Sequence, residues 1–228
     1  MTDTNMIKIG VPSKGRLMEQ TFAWFGARGL TMRRTGAERE YSGAVEGMEG
    51  VELVLLAASE VPRELEAGRI DLGVTGTDLV REELADWSGV VAEVAALGFG
   101  QADLILAVPS VWVDVDTLDD LDAAAAAFRA AHGFRLRIAT KYHRLVREFL
   151  TENGVADYQL VDSLGATEGT VKNLTAEAIA DITSSGETLR ANHLKVLSDG
   201  LILRSEAVLF RAKGSGADLG PLMRRLGV

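Results

Sequence analysis

The residues best suited to chemistry lie between Ala178 and Asn192, where an apolar run that includes Asp181 leads into a hydroxyl-rich loop. The loop carries Thr183, Ser184, Ser185, Gly186, Glu187 and Thr188, and the residues after it suit a helix. A strand that ends in such a loop presents free backbone N–H groups, hydroxyls and the positive end of a helix dipole to one point. This pattern predicts a phosphate-binding cradle. The pattern alone leaves open an ordinary polar turn between strand and helix.

Two further loops place polar residues after predicted strands. Lys14 and Arg16 follow the alternating apolar residues 7–11. The second loop follows residues 70–74 and consists of Thr75, Gly76, Thr77 and Asp78. Open α/β sheets bind ligands at the carboxyl ends of their strands, so both loops are candidates for contacts with an anion. For Lys14 and Arg16 the alternative is that they are solvated surface charges.

The elements that must position these loops are short apolar runs alternating with segments of helical periodicity. This alternation predicts an α/β protein with largely parallel sheets. Gly98 and Gly100 flank Phe99 directly before the apolar run 102–108, which indicates that the backbone changes direction there. We therefore place the first passage between two domains at residues 97–103.

The composition of the chain limits which ligands it can bind and in which compartment it is expected. The chain of 228 residues has 33 acidic and 24 basic residues, a formal net charge of −9, so nucleic acid and anionic membrane surfaces are not expected partners. It has no cysteine and only three scattered histidines, which excludes thiolate chemistry and does not suggest a metal site bound directly by the protein. No signal peptide or membrane span is apparent, which predicts a cytoplasmic protein.

Five separated stretches, taken together and in order, resemble the catalytic subunit of the ATP phosphoribosyltransferase family. They are Val11–Leu17, Asp71–Asp78, Leu97–Gly100, Arg137–Tyr142 and Asp181–Asn192. The resemblance implies two α/β domains like those of a type II periplasmic binding protein, with domain II inserted into domain I and the active site in the cleft. Together with the glycine-rich changes of course, it gives domain I as residues 1–99 and 194–228 and domain II as residues 100–193.

The family has a short form and a long form with a C-terminal regulatory domain. Residues 193–228, the 36 that follow Asn192, are too few to return to domain I and build another domain. The chain therefore resembles the short form, and the resemblance implies a homodimeric core and a regulatory subunit resembling histidyl-tRNA synthetase.

The reaction implied by the resemblance joins N1 of the adenine of ATP to C1 of phosphoribosyl pyrophosphate, with pyrophosphate leaving. Charge builds on the leaving group, so catalysis is expected from positioning, from cationic stabilisation and from Mg²⁺ carried by the substrate. We assign catalytic roles to Lys14, Arg16 and Asp181. The resemblance assigns phosphoribosyl pyrophosphate to Asp181 and the loop Thr183, Ser184, Ser185, Gly186, Glu187 and Thr188, although Glu187 is expected to face solvent.

The contacts with ATP or pyrophosphate are assigned across the proposed cleft. The candidates are Lys14, Arg16, Arg33, Thr75, Gly76, Thr77 and Glu168. Arg33 is the weaker basic candidate because it adjoins Arg34, and only one of the two can readily face the cleft. Gly186 is expected to let a ligand approach the backbone where a side chain would block it.

Three departures from the family pattern stand out. The turn before Glu168 reads Gly165-Ala166-Thr167, without the family's serine, and Ala57-Ala58 stands where an arginine is common. An acid, Glu177, is kept before the loop strand while a nearby glycine is lost. Two rival functions remain open at this stage: a non-catalytic anion sensor of the same fold, and a phosphoribosyltransferase with another acceptor base.

Overall fold

The computed structural model describes residues 6–34, 42–163 and 165–228. The chain divides into two compact units. The first unit comprises the residues up to Gln101 together with Glu206–Val228, and the second unit comprises Ala102–Ser205. The predicted α/β class is confirmed, since strands and helices alternate in both units.

The first unit is built on a seven-stranded sheet with the strand order β2-β3-β4-β1-β5-β12-β6. Its strands are β1 (Ile7–Pro12), β2 (Thr31–Arg34), β3 (Ser42–Glu46), β4 (Val51–Leu56), β5 (Leu72–Gly76), β6 (Val91–Ala96) and β12 (Ala207–Ala212). Its helices are α1 (Gly15–Gly26), α2 (Val61–Glu66), α3 (Thr77–Glu83), α4 (Trp87–Val90) and α9 (Gly220–Leu226). Apolar side chains of β1, β4 and β5 form the core with Phe25 of α1 and Leu222 of α9, so the loops that end β1 and β5 start from buried strands.

The second unit is built on a five-stranded sheet with the order β11-β7-β10-β8-β9. Its strands are β7 (Ala102–Pro109), β8 (Leu136–Thr140), β9 (Tyr158–Asp162), β10 (Ala178–Thr183) and β11 (Leu194–Ser205). Its helices are α5 (Leu118–His132), α6 (His143–Glu152), α7 (Gly169–Lys172) and α8 (Glu187–Ala191). Strands β8, β9 and β10 are parallel to one another, so their carboxyl ends share one edge of the sheet.

The expectation of largely parallel sheets was wrong, because both sheets are mixed. β12 runs antiparallel between β5 and β6, and β7 runs antiparallel to both β10 and β11. These strands carry the chain out of the first unit and back into it, a connection that local periodicity does not reveal.

The second unit also ends later than the domain II expected from sequence, at Ser205 rather than at residue 193. The reason is β11, which pairs with β7 from Leu194 opposite Pro109 to Ser205 opposite Ala102. A shorter strand at residues 194–197 was expected there. Across the described parts of the chain, no helix combines the length and the apolar character needed to cross a membrane.

Candidate active site

The loop of greatest interest follows β10, the middle strand of the second unit. Ala178, Ile179 and Ala180 are buried, and their small or branched side chains let β10 pack between β7 and β8. The strand therefore delivers its last residues to a fixed edge of the sheet. Leu189 of α8 is buried in the same apolar cluster as Ile179, which anchors the short helix that the loop enters.

The loop is organised by its own hydroxyl groups. The backbone N–H of Gly186 donates to Thr183 Oγ1 at 2.9 Å, and the N–H of Glu187 donates to Ser185 Oγ at 3.3 Å. Asp181 accepts the N–H of Ile182 at 2.8 Å through Oδ1. This bond is local, from the next residue of the chain, and the ligand role assigned to Asp181 stays a prediction.

Gly186 is required by its backbone conformation. It has φ +69°, in the left-handed region that side chains with a Cβ disfavour. A Cβ built there would lie 3.1 Å from Arg190 Nη1, and no other side chain or backbone atom beyond its chain neighbours comes closer. The structure thus gives a different reason for the glycine than room for a ligand, because Gly186 does not line the cavity described next.

A cavity of about 290 Å³ opens beside the loop. Its polar lining consists of Glu168, Asp181, Thr183, Ser184, Ser185 and Thr188. Its apolar lining consists of Ile179, Ile182 and Leu189. Glu187 is exposed and outside this lining, as expected for a carboxylate beside an anion cradle. Hydroxyl donors and two carboxylates thus surround a space near the size of small-molecule sites.

Glu168 is held at this cavity by the turn that precedes it. Ser163 and Thr167 are buried, and Ser163 Oγ donates to Thr167 Oγ1 at 2.8 Å. Lys141 Nζ donates to the carbonyl of Gly165 at 3.0 Å, which ties the turn to the residue after β8. The missing family serine corresponds to exposed Ala166, so the buried hydroxyl pair and not that position stabilises the turn.

Glu177, the acid kept before β10, has a structural role in this chain. Its carboxylate accepts the backbone N–H of Arg137 at 2.8 Å and pairs with the Arg137 guanidinium at 2.5 Å. The hydrogen bond to Glu177 raises the pKa of Arg137 above its ordinary value. The pair joins β8 to the start of β10, at the end of the sheet opposite the loop.

The basic loop of the first unit lies at the end of β1. Lys14 and Arg16 are exposed and, within the described residues, neither forms an ion pair. The N–H of Ser13 donates to the carbonyl of Leu56 at 2.7 Å, which fixes the start of this loop to β4. Both cations are therefore exposed to solvent, where an anion can reach them.

The second polar loop of the first unit offers less than the sequence predicted. Thr75 is fully buried, and its hydroxyl donates to the carbonyl of Ala58 at 2.7 Å, so it is not available to a ligand. The N–H of Thr77 donates to the carbonyl of Glu206 at 3.1 Å. Gly76 is partly exposed. The assignment of Thr75 to a ligand is corrected, because the hydroxyl serves the packing of its own unit.

Arg33 and Arg34 lie on opposite faces of β2. Arg33 pairs with Glu46 at 3.2 Å, whereas Arg34 donates to the carbonyl of Ser13 in the basic loop. Arg34 thus contacts the basic loop at Ser13, whereas Arg33 was the candidate of the two expected from the sequence. Arg63 on α2, the first arginine that follows Ala57 in the chain, is paired with Glu83 at 2.6 Å.

A metal bound directly by the protein was not expected, and Mg²⁺ was expected to arrive with substrate. In the described parts of the chain no three His, Cys, Asp or Glu side chains come together as a metal site. Glu168 and Asp181 nevertheless line one cavity, and one or two carboxylates with several waters and substrate phosphates are the usual surroundings of Mg²⁺.

The two-unit α/β fold, with a hydroxyl-lined loop at a strand end, belongs to the class of two-lobed α/β proteins. Solved structures show the same fold. A HisG:HisZ ATP phosphoribosyl transferase complex from Thermotoga maritima matches 97% of this chain and 92% of its own with a TM-score of 0.70 at 20% identity. A histidine kinase sensor domain similar to periplasmic binding proteins matches 99% of this chain and 89% of its own with a TM-score of 0.55 at 15% identity.

Sequence similarity then gives the family. The family model of HisG, ATP phosphoribosyltransferase, matches residues 57–226. An ATP phosphoribosyltransferase of Cereibacter sphaeroides is 82% identical over 207 residues, covering 91% of this chain and 88% of the relative. One from Sinorhizobium medicae is 52% identical and covers 96% of both. The chain belongs to the ATP phosphoribosyltransferase family, and it is a transferase of the pentosyltransferase type.

Proposed function

We propose that the chain joins N1 of the adenine of ATP to C1 of phosphoribosyl pyrophosphate, and that the cavity beside β10 holds the ribose 5-phosphate. The reaction is the first step of histidine biosynthesis. The observation that carries the location is the cavity itself, where four hydroxyl side chains and two carboxylates converge at the carboxyl end of one buried strand. Family membership disfavours the two rival functions, the sensor and the transferase for another base.

Catalysis of this reaction depends more on positioning the two substrates than on proton transfer by a side chain. The N1–C1 bond forms with the lone pair of the ring nitrogen, while the C1–O bond breaks and its electron pair leaves with pyrophosphate. A strong protein base is therefore unnecessary at the nucleophile. Mg²⁺ bound to the pyrophosphate would supply positive charge against the developing negative charge on the leaving group.

The loop residues bind the donor through neutral dipoles. Thr183, Ser184, Ser185 and Thr188 donate hydrogen bonds to the 5-phosphate, and such bonds to a charged group are stronger than those between neutral groups. Thr183 Oγ1 already accepts the N–H of Gly186, which polarises its own O–H toward a ligand. Asp181 and Glu168, which line the same cavity, are assigned to the ribose hydroxyls or to the water shell of the metal.

Cationic roles are assigned to two residues of the first unit. Lys14 and Arg16 stabilise the pyrophosphate or the phosphates of ATP, and Arg34 supports their loop through Ser13. Gly76 and Thr77 remain secondary candidates, and Arg33 is disfavoured by its pairing with Glu46. Assembly follows the family in this proposal, with a homodimeric core and a regulatory subunit like the HisZ named in the Thermotoga maritima complex. We place the enzyme in the cytoplasm.

The test is an ultraviolet assay of the N1-ribosylated adenine chromophore with ATP, phosphoribosyl pyrophosphate and Mg²⁺. We expect Ser185→Ala combined with Thr188→Ala to raise the KM for the ribose donor at least about a hundredfold, since each of the two lost bonds to a charged group costs about 1.5–3 kcal/mol. The KM for ATP should change much less. The matched control is Ser110→Ala combined with Thr151→Ala, which removes two exposed hydroxyls outside the cavity.

Two results would count against the proposal. Absence of product from the unmodified chain, even with the regulatory subunit added, would rule out the reaction. Equal increases in KM for both substrates in the loop variant would rule out the assigned location of the 5-phosphate.

A further inference from the structure

Arg190 of α8 folds back against the phosphate loop. Its backbone N–H donates to the carbonyl of Gly186 at 3.0 Å, and its Nη2 donates to the carbonyl of Ser185 at 3.2 Å. Arg190 is not among the residues that line the cavity, so its contact with the loop lies outside the cavity. Among the residues that the structure describes, no carboxylate pairs with this guanidinium.

The contact with Ser185 fixes the orientation of one peptide group. In a trans peptide the C=O of one residue and the N–H of the next point in opposite directions. The carbonyl of Ser185 points to Arg190, and the N–H of Gly186 points to Thr183 Oγ1, which lines the cavity. Arg190 and Thr183 therefore hold the two ends of the same peptide plane.

This peptide needs to be held because glycine follows it. Gly186 adopts φ +69°, but a glycine populates negative φ as readily, so the plane between Ser185 and Gly186 can flip at little steric cost. A flipped peptide would turn the carbonyl oxygen toward Thr183 and the cavity. The Thr183 hydroxyl oxygen, which accepts the N–H of Gly186, would then lose that bond, and its O–H would donate to the flipped carbonyl instead of to the phosphate.

We infer that Arg190 is a positioning residue for the ribose donor, which keeps the Ser185 carbonyl turned away from the 5-phosphate. The inference rests on the proposed function of the cavity. It assigns Arg190 no contact with the substrate. Its effect passes through the peptide between Ser185 and Gly186 and reaches the ligand through Thr183.

The test compares Arg190→Met and Arg190→Lys with Arg147→Met in the full chain. Arg147 is an exposed arginine of α6 outside the loop, so its variant has the same charge change. We expect Arg190→Met to raise the KM for phosphoribosyl pyrophosphate about tenfold, with the KM for ATP within about twofold of the unmodified chain. Arg147→Met should leave both values unchanged.

Two further measurements separate orientation from charge and from general stability. Arg190→Lys keeps the charge but loses the planar fork of donors, so it should restore only part of the affinity for the donor. Hydrogen exchange at the Gly186 amide should be faster in Arg190→Met, because the peptide no longer keeps its N–H on Thr183. A merely structural contact would lower the melting temperature without separating the two KM values.

The inference is overturned if Arg190→Met behaves like Arg147→Met, or if Arg190→Lys matches the unmodified chain, which would leave charge as the sole contribution. It is also overturned if both KM values rise together or if exchange at Gly186 is unchanged. Failure of the proposed function is recognised separately, because the unmodified chain would then make no product at all.

Discussion

The buried hydroxyl pair beneath Glu168 allows a sharp test of how the turn supports the site. Ser163 is 6% exposed and Thr167 is 0% exposed, and their oxygens are 2.8 Å apart. Thr167→Val keeps the shape of the side chain but leaves the Ser163 hydroxyl buried without this partner. Leaving a buried polar group unsatisfied costs about 1–3 kcal/mol. If the second unit unfolds cooperatively, each kcal/mol lowers its melting temperature by about 4–8 °C.

The assay is a double-mutant cycle followed by calorimetry and by the KM for the ribose donor. Ser163→Ala leaves the opposite hydroxyl unpaired and should cost a similar amount. The combined variant removes both polar groups, so it should cost less than the sum of the two single changes. The single variants should also raise the KM for the donor, because a loosened turn no longer holds Glu168 at the cavity. Additive free energies, or single variants within about 0.5 kcal/mol of the unmodified chain, would refute the reasoning.

Three further predictions concern the elements around the site. The pKa of Asp120 is lowered by hydrogen bonds from the N–H of Asp116 and from the hydroxyl and the N–H of Thr117, so the carboxylate stabilises the fold above its unfolded pKa and this contribution is lost as the pH falls through the lower folded pKa. Asp120→Asn should therefore lower the melting temperature at neutral pH and make it fall less steeply in acid. A melting profile parallel to that of the unmodified chain would contradict this. Arg137→Leu leaves the half-buried Glu177 carboxylate without its guanidinium partner and should destabilise the chain by about 1–2 kcal/mol. Arg144→Leu should destabilise it less, because the pair of Arg144 with Glu148 lies on the surface of one helix. Equal melting temperatures for the two variants would contradict this. Arg34→Met should reduce kcat/KM, because the loop that carries Lys14 and Arg16 loses its hydrogen bond at Ser13. Arg33→Met, which loses the same charge from the opposite face of β2, should have little effect on kcat/KM. Equal losses of kcat/KM in the two variants would show that Arg34 has no special role in this loop.

What the sequence predicted well is local. Asp181, the hydroxyl loop and the helix after it are neighbours in the chain, so a strand, a turn and a helix suffice to bring them together. Glu168 is the one distant residue in that cavity, and it was named from the family resemblance and not from a pattern. The α/β class followed from periodicity, which depends on which side of each element is buried.

What the sequence could not predict depends on tertiary partners. The burial of Thr75 follows from Ala58, a carbonyl on another loop, and no feature of the sequence around Thr75 announces it. The face that Arg34 presents follows from the register of β2 against β3, since a shift by one residue would exchange it with Arg33. The antiparallel strands β7 and β12 follow from the route of the chain between the units.

The charges in the lining of the loop cavity bear on which groups can bind a phosphate there. Glu168 and Asp181 are the ionisable side chains in its lining, and within the described residues no cationic side chain lines it. Two carboxylates in a chain of net charge −9 would repel a bare phosphate, so hydroxyl and N–H dipoles must be held in strict orientation to bind one. In the proposed function, the positive charge at the pyrophosphate is supplied by the metal carried by the substrate and by Lys14 and Arg16. The orientation of the Ser185 peptide matters for this reason, because a site that binds an anion through dipoles loses affinity when a single dipole is reversed.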